Sequence, residues 1–370
     1  MPPAENLRPT AVSRRTLLAG AAGAALAGCA APPAVPSTDP ADAWWTADGP
    51  TIDMHSHAGR VSLGHDPVRG AARPFVAVAD AMRAGGLHAL CLAIVADGSA
   101  TRVAADGRRI EPYRTPAPGE LYALSTQAFA RAAALVAQER LRVATDAAGL
   151  RAATREGPTV IVASEGADFL EGDLDRIDEA WSLHRLRHLQ LTHYRPNELG
   201  DIQTEAPVAG GLTDFGAAVV RRCNRRGLVV DVAHGPLALV RRAAEVSEKP
   251  LVLSHTSLAR LPGPRSRQIT VEHARAVAGT GGVVGVWPSA GVFRSLAQMA
   301  DGVKRLVDAI GIDHVGLGSD MLGFISPPVF DSYRQLPDFA GLLVAAGLSR
   351  AEARKVLGGN YLRVFEASVG

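Results

Sequence analysis

The sequence predicts an α/β protein folded as a (β/α)8 TIM barrel, and three observations lead to this prediction. From about residue 51 onward, short apolar runs alternate with amphipathic stretches of helical length, which indicates parallel βαβ units. The apolar runs number eight, as a closed barrel requires. Side chains that can bind a metal stand where several of these runs end, and the carboxyl ends of barrel strands meet at one mouth.

The individual elements follow from local pattern. Thr213 or Asp214 can cap one helix, and Ser349 with Glu352 has the spacing of a capping box at the start of another. The predicted strands cover residues 51–55, 89–95, 159–163, 188–191, 228–232, 250–253, 282–286 and 314–317. The predicted helices cover residues 74–84, 120–137, 170–183, 214–226, 236–246, 271–278, 296–309, 333–346 and 350–357.

Residues 1–28 have the features of an export signal. Residues 13–18 form a twin-arginine start, and the Ala/Gly/Leu stretch 17–27 is too short for a good transmembrane helix. Residues 26–29 resemble a bacterial lipobox in which Cys29 receives lipid, which predicts a lipid-anchored protein at an extracytoplasmic or periplasmic membrane face. An ordinary secretory signal is the alternative.

The remaining chain divides into a Pro/Ala-rich tether at 29–49 and one barrel domain at 50–370. The net charge of the whole chain is +2, and residues 1–28 account for it, since they hold three arginines and one glutamate. The remainder is close to neutral, which argues against a nucleic-acid partner. Cys91 and Cys223 lie in apolar and helical segments and are predicted to be free core thiols rather than a disulfide.

Six residues with metal-binding side chains stand at the end of a predicted strand or within three residues after it. His55 and His57 are two apart on a strand, so both imidazoles point to one face and can reach one metal. Glu165 can bridge two metals because a carboxylate has two oxygens. Imidazole and carboxylate ligands suit Zn²⁺, with Mn²⁺, Co²⁺ or Fe²⁺ as alternatives. The six residues are His55, His57, Glu165, His234, His255 and Asp320.

This set predicts a barrel of the metal-dependent hydrolase type with two divalent ions. Two adjacent ions can share a water, lower its pKa and polarise a carbonyl. Asp320 is placed to accept the proton of the attacking hydroxide and pass it to a leaving amine. One histidine at a strand end is more often an ordinary polar residue than a ligand, but the six together favour a metal site.

Several stretches resemble the membrane dipeptidase (renal dipeptidase-like) family of zinc metallopeptidases, over residues 52–365. The resemblance implies a (β/α)8 barrel with two zinc ions that hydrolyses dipeptides, often with a C-terminal D-residue, and a homodimer. The matching stretches are Ser-Glu-Gly at 164–166, Leu-Thr-His at 191–193, Gly-Leu-Thr-Asp-Phe-Gly at 211–216, Val-Asp-Val-Ala-His at 230–234, Ser-His-Thr-Ser at 254–257, Gly-Ile-Asp-His-Val-Gly-Leu-Gly-Ser-Asp at 311–320 and Gly-Gly-Asn-Tyr-Leu-Arg-Val-Phe at 358–365.

The resemblance also implies roles for single residues. His55 is a ligand of the first metal, Glu165 is the bridge, and Asp320 is the acid/base carboxylate. His234 and His255 are ligands of the second metal.

Two further residues are assigned to the substrate by the same resemblance. His193 matches a residue that contacts the scissile carbonyl or its oxyanion. Arg267 matches an arginine that pairs with the free carboxylate of the substrate, a task that suits the guanidinium fork. The alternative for Arg267 is a solvated surface arginine, because it lies in a polar, arginine-rich loop.

The sequence departs from the family pattern at two places. The family usually has His-x-Asp at the first strand, whereas His57 stands at the second position here, so the site has one negative charge fewer. After Asp320 the family often has Phe-Asp-Gly, and this chain has Met321, Leu322 and Gly323. The first change is expected to weaken binding of the first metal or shift its preferred ion, and to remove a carboxylate for the free amino group of the substrate. The second change alters the wall of the pocket.

Two other functions remain open at this stage. The same ligand types occur in barrels that hydrolyse lactones, phosphoesters or other amides, and a non-catalytic lipoprotein could keep the barrel as a binding scaffold. Loops at 98–118 and 196–210 are expected to set the substrate preference, and the first of these follows the second strand and is expected to cover the site.

Overall fold

The computed structural model describes residues 43–370, and eight parallel strands form a nearly closed barrel within them. The strands are β1 Ile52–Ser56, β2 Ala89–Val95, β3 Thr101–Val103, β4 Ile110–Pro112, β5 Arg142–Val143, β6 Thr159–Glu165, β7 Leu186–Gln190, β8 Val229–Asp231, β9 Val252–Thr256, β10 Val283–Val286 and β11 Val315–Leu317. The strand order around the barrel is β1-β2-β6-β7-β8-β9-β10-β11, and the short strand β5 pairs with β6 outside this path. The prediction of a TIM barrel is therefore confirmed.

The barrel closes between its first and last strands at the upper rim. The backbone N–H of Asp320 donates to the carbonyl of His55 at 2.9 Å, and the N–H of His57 donates to the carbonyl of Met321 at 2.9 Å. Ser56 and Met321 also form an isolated parallel bridge. Closure is thus made by the segments that carry three of the predicted site residues.

Helices surround the barrel. Thr213 accepts a hydrogen bond from Gly216 N–H at the start of one helix, and Ser349 and Glu352 form the predicted capping box at another. The helices are α1 Pro67–Ala72, α2 Ala79–Gly85, α3 Glu120–Glu139, α4 Ala147–Glu156, α5 Asp175–Leu183, α6 Asp214–Arg226, α7 Leu237–Val246, α8 Val271–Ala278, α9 Leu296–Ile310, α10 Leu336–Ala345, α11 Arg350–Arg354 and α12 Asn360–Val369.

Apolar side chains fill the barrel below the polar residues of the rim. Met54 reaches across the interior to strands β10 and β11, where a Cβ at Gly285 or Gly316 would meet its methyl group at 2.6 or 2.8 Å. Tyr361 and Phe365 of helix α12 are buried against the lower end of the barrel. This packed interior leaves the carboxyl ends of the strands as the face that is open to a ligand.

Residues 43–49 belong to the folded part although the sequence analysis placed them in the tether. Trp44 and Trp45 are buried, and Trp45 Nε1 donates to the carbonyl of Gly85 at 3.2 Å. Two adjacent tryptophans were the signal in the sequence, because such large apolar surfaces are rarely left in a flexible linker. The signal segment 1–28 and Cys29 lie outside the described residues.

Other differences are local. The predicted helix 170–183 begins only at Asp175, because Asp168–Leu170 forms a separate 3-10 turn. The predicted helix 350–357 continues through the π-helical segment Lys355–Gly359, where Gly358 lies so close to the backbone of Pro50 that no Cβ would fit.

Both cysteines of the described chain are buried and free, as predicted. Among the helices of residues 43–370, none combines the length and the apolar character needed to cross a membrane.

Candidate metal centre

Glu165, the last residue of β6, stands at the centre of the upper rim and is 3% exposed. Each carboxylate oxygen faces a different group of imidazoles. The Oε1 atom lies 3.2 Å from His234 Nε2, 3.4 Å from His55 Nε2 and 3.5 Å from His255 Nε2. The Oε2 atom lies 3.1 Å from His57 Nε2 and 3.2 Å from His193 Nε2. One carboxylate therefore contacts all five histidines that the sequence predicted for the site.

The spacing of these atoms fits two metal ions. His55, His57 and Glu165 form one candidate group of ligands, and Glu165, His234 and His255 form a second. The Nε2 atoms are 3.3 Å apart in the His55–His57 pair and 3.1 Å apart in the His234–His255 pair. Tetrahedral zinc with bonds of about 2.0–2.1 Å places neighbouring ligand atoms roughly 3.3 Å apart. The donor set therefore fits a metal in each group.

The protonation states of the second ligand group, Glu165, His234 and His255, also suit a metal. Burial lowers the pKa of His234 and of His255 well below the usual imidazole value, so both rings are neutral and have a lone pair to offer. Burial opposes the charge on Glu165, but His193 and the other imidazoles hold the pKa of its carboxyl well below the usual value. An ionised bridge between neutral imidazoles is what divalent ions bind.

Hydrogen bonds to the other ring nitrogens orient the imidazoles. His57 Nδ1 lies 2.9 Å from the carbonyl of Ala93, which can only accept, so Nδ1 carries a proton and Nε2 is the atom that can bind a metal. Burial lowers the pKa of His57, but Glu165 and Asp320 outweigh burial and raise it to about 9, so a metal at Nε2 has to displace a proton. His255 Nδ1 lies 2.9 Å from Ser254 Oγ. The hydrogen bond to Ala93 leaves His57 Nε2 facing Glu165 Oε2, at 3.1 Å.

Two buried aspartates beneath the rim hold the backbone of the ligand segments. Asp53 accepts hydrogen bonds from the N–H groups of His55 at 3.3 Å and Ser319 at 2.8 Å. Asp231 accepts in the same way from Ala233 at 2.9 Å and Ser254 at 3.0 Å. Asp53 thus links the end of β1 to Ser319, the residue before Asp320. Asp231 links the end of β8 to Ser254, the residue before His255.

Replacing Asp231 by Ala is expected to weaken zinc binding by about tenfold or more. Loss of a group that hydrogen-bonds behind the metal ligands typically lowers metal affinity by 10–100-fold. The change removes the acceptor that holds the segments of His234 and His255 in register. Chelator competition with the purified variant measures the affinity, and Asp301→Ala on the surface of α9 is the control. An unchanged zinc affinity would show that the two ligand segments do not need this carboxylate.

Asp320 lies at the rim beside the first ligand group. Its Oδ1 is 3.4 Å from His57 Nε2, and its backbone has φ 48°, in the left-handed region that few residues other than glycine adopt. Burial and the nearby Glu165 raise its pKa to about 7, although His57 opposes this. A Cβ at Gly323 would collide with the Asp320 carboxylate, so the close approach of this loop requires glycine there.

His193 is held by a carboxylate that the sequence analysis did not identify. Asp97 Oδ1 lies 2.6 Å from His193 Nδ1, and its Oδ2 accepts from the N–H of Tyr194 at 3.0 Å. Burial lowers the pKa of His193, but Asp97 and Glu165 outweigh burial and raise it. Asp97 stands two residues after β2, so the strand-end rule that found the other site residues could have found it too.

Arg267 is buried at the second ligand group rather than on the surface. Its guanidinium donates to Gln203 Oε1 and, at 3.4 Å, to the carbonyl of His255. It also lies over Trp287, with 5.4 Å between the guanidinium carbon and the ring centre. The Nε atom has no hydrogen-bond partner within residues 43–370. A buried cation with an unused donor is ready to receive an anion.

A cavity of about 190 Å³ opens above the centre. The antiparallel hairpin of β3 and β4 forms one wall through Val103 and Ile110, so the segment 98–118 does cover the site as expected. The pairing of Arg114 with Glu120 holds the base of this hairpin. Six of the eight predicted site residues in the described chain line this cavity: His57, Glu165, His193, His234, His255 and Asp320. The other two contact this lining, since His55 Nε2 lies 3.4 Å from Glu165 Oε1 and Arg267 donates to the carbonyl of His255. Cys29 lies outside the described residues.

A family model described as "Membrane dipeptidase (Peptidase family M19)" matches residues 78–369. The chain belongs to the membrane dipeptidase family. One curated relative is dipeptidase aclJ of Aspergillus oryzae, 34% identical over 48% of this chain and 44% of its own length. The chain spans about half the length of the curated relatives it matches.

Solved structures of low sequence identity share the fold of this membrane dipeptidase family member. A metallopeptidase from Rhodobacter sphaeroides, solved with a phosphinate mimic of the dipeptide L-Ala-D-Ala, is 24% identical with a TM-score of 0.70, over 86% of this chain and 99% of its own. An amidohydrolase from Pseudomonas aeruginosa is 20% identical with a TM-score of 0.68, over 88% of this chain and 98% of its own.

Proposed function

We propose that this protein hydrolyses dipeptides, including those with a C-terminal D-residue, at a centre of two divalent metal ions, with zinc as the expected metal. The observation that carries the proposal is the position of Glu165, which belongs to two candidate ligand groups at once, one with His55 and His57 and the other with His234 and His255. Family membership and the relatives described as dipeptidases support the same substrate class. The ligand of the Rhodobacter sphaeroides neighbour, a mimic of L-Ala-D-Ala, supports a D-residue at the second position.

The residues that would hold the metals are His55, His57 and Glu165 for one ion and Glu165, His234 and His255 for the other. Bound divalent ions would lower the pKa of a water and polarise the scissile carbonyl. With a single carboxylate among the five ligands, the protein offsets little of the positive charge of two such ions. The centre is therefore strongly electrophilic, which favours attack on a peptide carbonyl.

Arg267 orients the substrate by its free carboxylate. The guanidinium is buried beside His255, so a carboxylate that pairs with it places the neighbouring peptide bond over Glu165 and the ligand groups. Tyr194 lies beside Arg267, and burial raises the pKa of its hydroxyl to about 12, so it remains a neutral hydrogen-bond donor.

His193 is placed to stabilise the oxyanion. Asp97 binds its Nδ1, so Nε2 points toward Glu165 and into the cavity. Since Asp97 and Glu165 favour the charged ring, the Nε2–H group can donate to the carbonyl oxygen of the scissile bond as negative charge develops there.

Asp320 moves the proton. As a carboxylate, it accepts a proton from the attacking water and delivers it to the leaving nitrogen of the peptide bond. A pKa near 7 matches both halves of that task, because the group can gain and lose a proton at neutral pH.

The proposal is tested with a panel of L,L and L,D dipeptides assayed on metal-loaded protein, on chelator-treated protein and on protein reloaded with Zn²⁺. We expect cleavage that chelation abolishes and zinc restores. A panel in which no dipeptide is cleaved by the fully loaded protein would contradict it.

We also propose that the chain is exported by the twin-arginine route and is lipid-anchored through Cys29, on the support of the sequence pattern at 13–29. Mass spectrometry of the N-terminal peptide and detergent partitioning of the intact protein test this. A Cys29→Ser chain should remain in the aqueous phase, and partitioning that does not depend on Cys29 would contradict the anchor.

A further inference from the structure

The cavity above the metal centre continues into a second, larger groove of about 610 Å³. The two spaces are adjacent, since His57, Val103, Ile110 and Leu322 line both. Residues 321–328, which follow Asp320, form the opposite side.

Several of the side chains that line this groove are apolar and exposed. The side chains of Val103, Leu322 and Ile325 are 47%, 46% and 43% exposed, and Phe324 and Ile110 also line the groove. A single exposed apolar residue on a protein surface is ordinary, but several around one concave groove indicate a site for an apolar ligand.

The charges in the groove do not suit the free ammonium of a dipeptide. Arg60 and Arg73 lie on its walls, and the one carboxylate among its lining residues is that of Asp331, which is exposed. Nearer the centre, Asp320 lies within 3.4 Å of His57 and has the proton-transfer role proposed above. An ammonium placed there would meet arginines and a strongly positive metal centre.

The direction of the substrate places its amino end at this groove. Arg267 lies beside His255, on the side of Glu165 Oε1, whereas the groove begins at His57, on the side of Oε2. A dipeptide with its carboxylate at Arg267 therefore extends its amino end past His57 toward Leu322.

We propose that the groove binds an apolar acyl group on the amino end of the substrate, so that the preferred substrates are N-acylated dipeptides. This inference rests on the proposed function, since it concerns the same hydrolytic site. Water adds to the carbonyl of the peptide bond, the C–N bond breaks, and the leaving nitrogen takes a proton. The products are an N-acyl amino acid and a free amino acid, and the acyl amide remains intact.

The test is a binding measurement that does not depend on turnover. Isothermal titration calorimetry with metal-loaded Asp320→Asn protein compares L-Ala-D-Ala with its N-acetyl and N-octanoyl derivatives. Each methylene buried in the groove should strengthen binding by roughly twofold to fourfold, so the octanoyl derivative, with its six additional methylenes, should bind at least about 60-fold more tightly than the acetyl derivative. Equal affinities, tighter binding of the free dipeptide, or no binding of any of the three would overturn the inference.

A pair of variants locates the effect. Ile325→Asp places a charge on the groove wall and should reduce the ratio of octanoyl to acetyl affinity at least fivefold. Leu183→Asp changes a residue at the end of α5 that is 69% exposed, and it should leave the ratio as it is. A ratio that is the same in both variants would place the acyl group elsewhere and overturn the assignment to this groove.

Turnover of the same three peptides by the unchanged protein separates this inference from the proposed function. Fast cleavage of the free dipeptide without acyl-chain dependence in binding would retain the proposed function and overturn the inference. Tight, chain-dependent binding with no cleavage of any peptide would retain the groove as an acyl site and contradict the hydrolytic function.

Discussion

Replacing Asp320 by Asn is expected to lower kcat for dipeptide cleavage by about 10²–10⁴-fold, because Asn cannot accept and return the proton that hydrolysis requires. The side chain keeps its shape, and Asp320 is outside the two ligand groups. Metal content should therefore stay at the level of the parent protein. Steady-state kinetics and elemental analysis of the same preparation measure both quantities.

Asp301→Asn is the matched control for this experiment, since it makes the same chemical change on the exposed surface of α9. It should retain the kcat of the parent protein. If Asp320→Asn keeps more than about a tenth of the parent kcat, proton transfer by this carboxylate is contradicted, given the usual contribution of such a group.

Replacing Arg267 by Lys is expected to lower kcat/KM for dipeptides by about 10–100-fold, mainly through KM. A lysine cannot reproduce the two-pronged contact of a guanidinium with a carboxylate, and charged hydrogen bonds of this kind contribute about 1.5–3 kcal/mol. Arg260→Lys, in the exposed part of the same loop, is the control and should behave like the parent.

A dipeptide amide, which lacks the carboxylate, identifies the group that Arg267 binds. The parent protein should prefer the dipeptide over its amide, and Arg267→Lys should lose most of that preference. If the variant keeps the full preference, the substrate carboxylate binds elsewhere and Arg267 is a structural cation.

The barrel could be predicted because its signal is repeated along the chain. Eight apolar runs separated by helical stretches specify parallel strands, and residues after those runs must meet at one rim. His55, Glu165 and His255 are therefore predicted to lie together from their positions at the ends of three such runs. The roles of these residues remain predictions that the experiments above address.

The supporting network could not be predicted in the same way. Asp97 and Asp231 act through hydrogen bonds to groups 96 and 23 residues further along the chain, and no local pattern reveals such partners. The burial of Arg267 also depends on how its loop folds against Trp287, which the polar sequence around it does not indicate.

The groove depends on tertiary structure for the same reason. Leu322 and Val103 lie far apart in the sequence and line one groove only because the segment after Asp320 and the hairpin of β3 and β4 come together in the folded chain. The sequence marked Leu322 as a departure from the family pattern, but the structure is needed to show that this residue lines a groove next to the metal centre.

The most direct test of the central claim is the number of metal ions per chain in the parent protein and in Glu165→Gln, measured by elemental analysis. If Glu165 joins two ions, the parent should hold two per chain, and the variant should hold at most one, because the neutral amide is a poor bridge between cations. One ion or none in the parent, or two ions in Glu165→Gln, would contradict a dinuclear centre bridged by this residue.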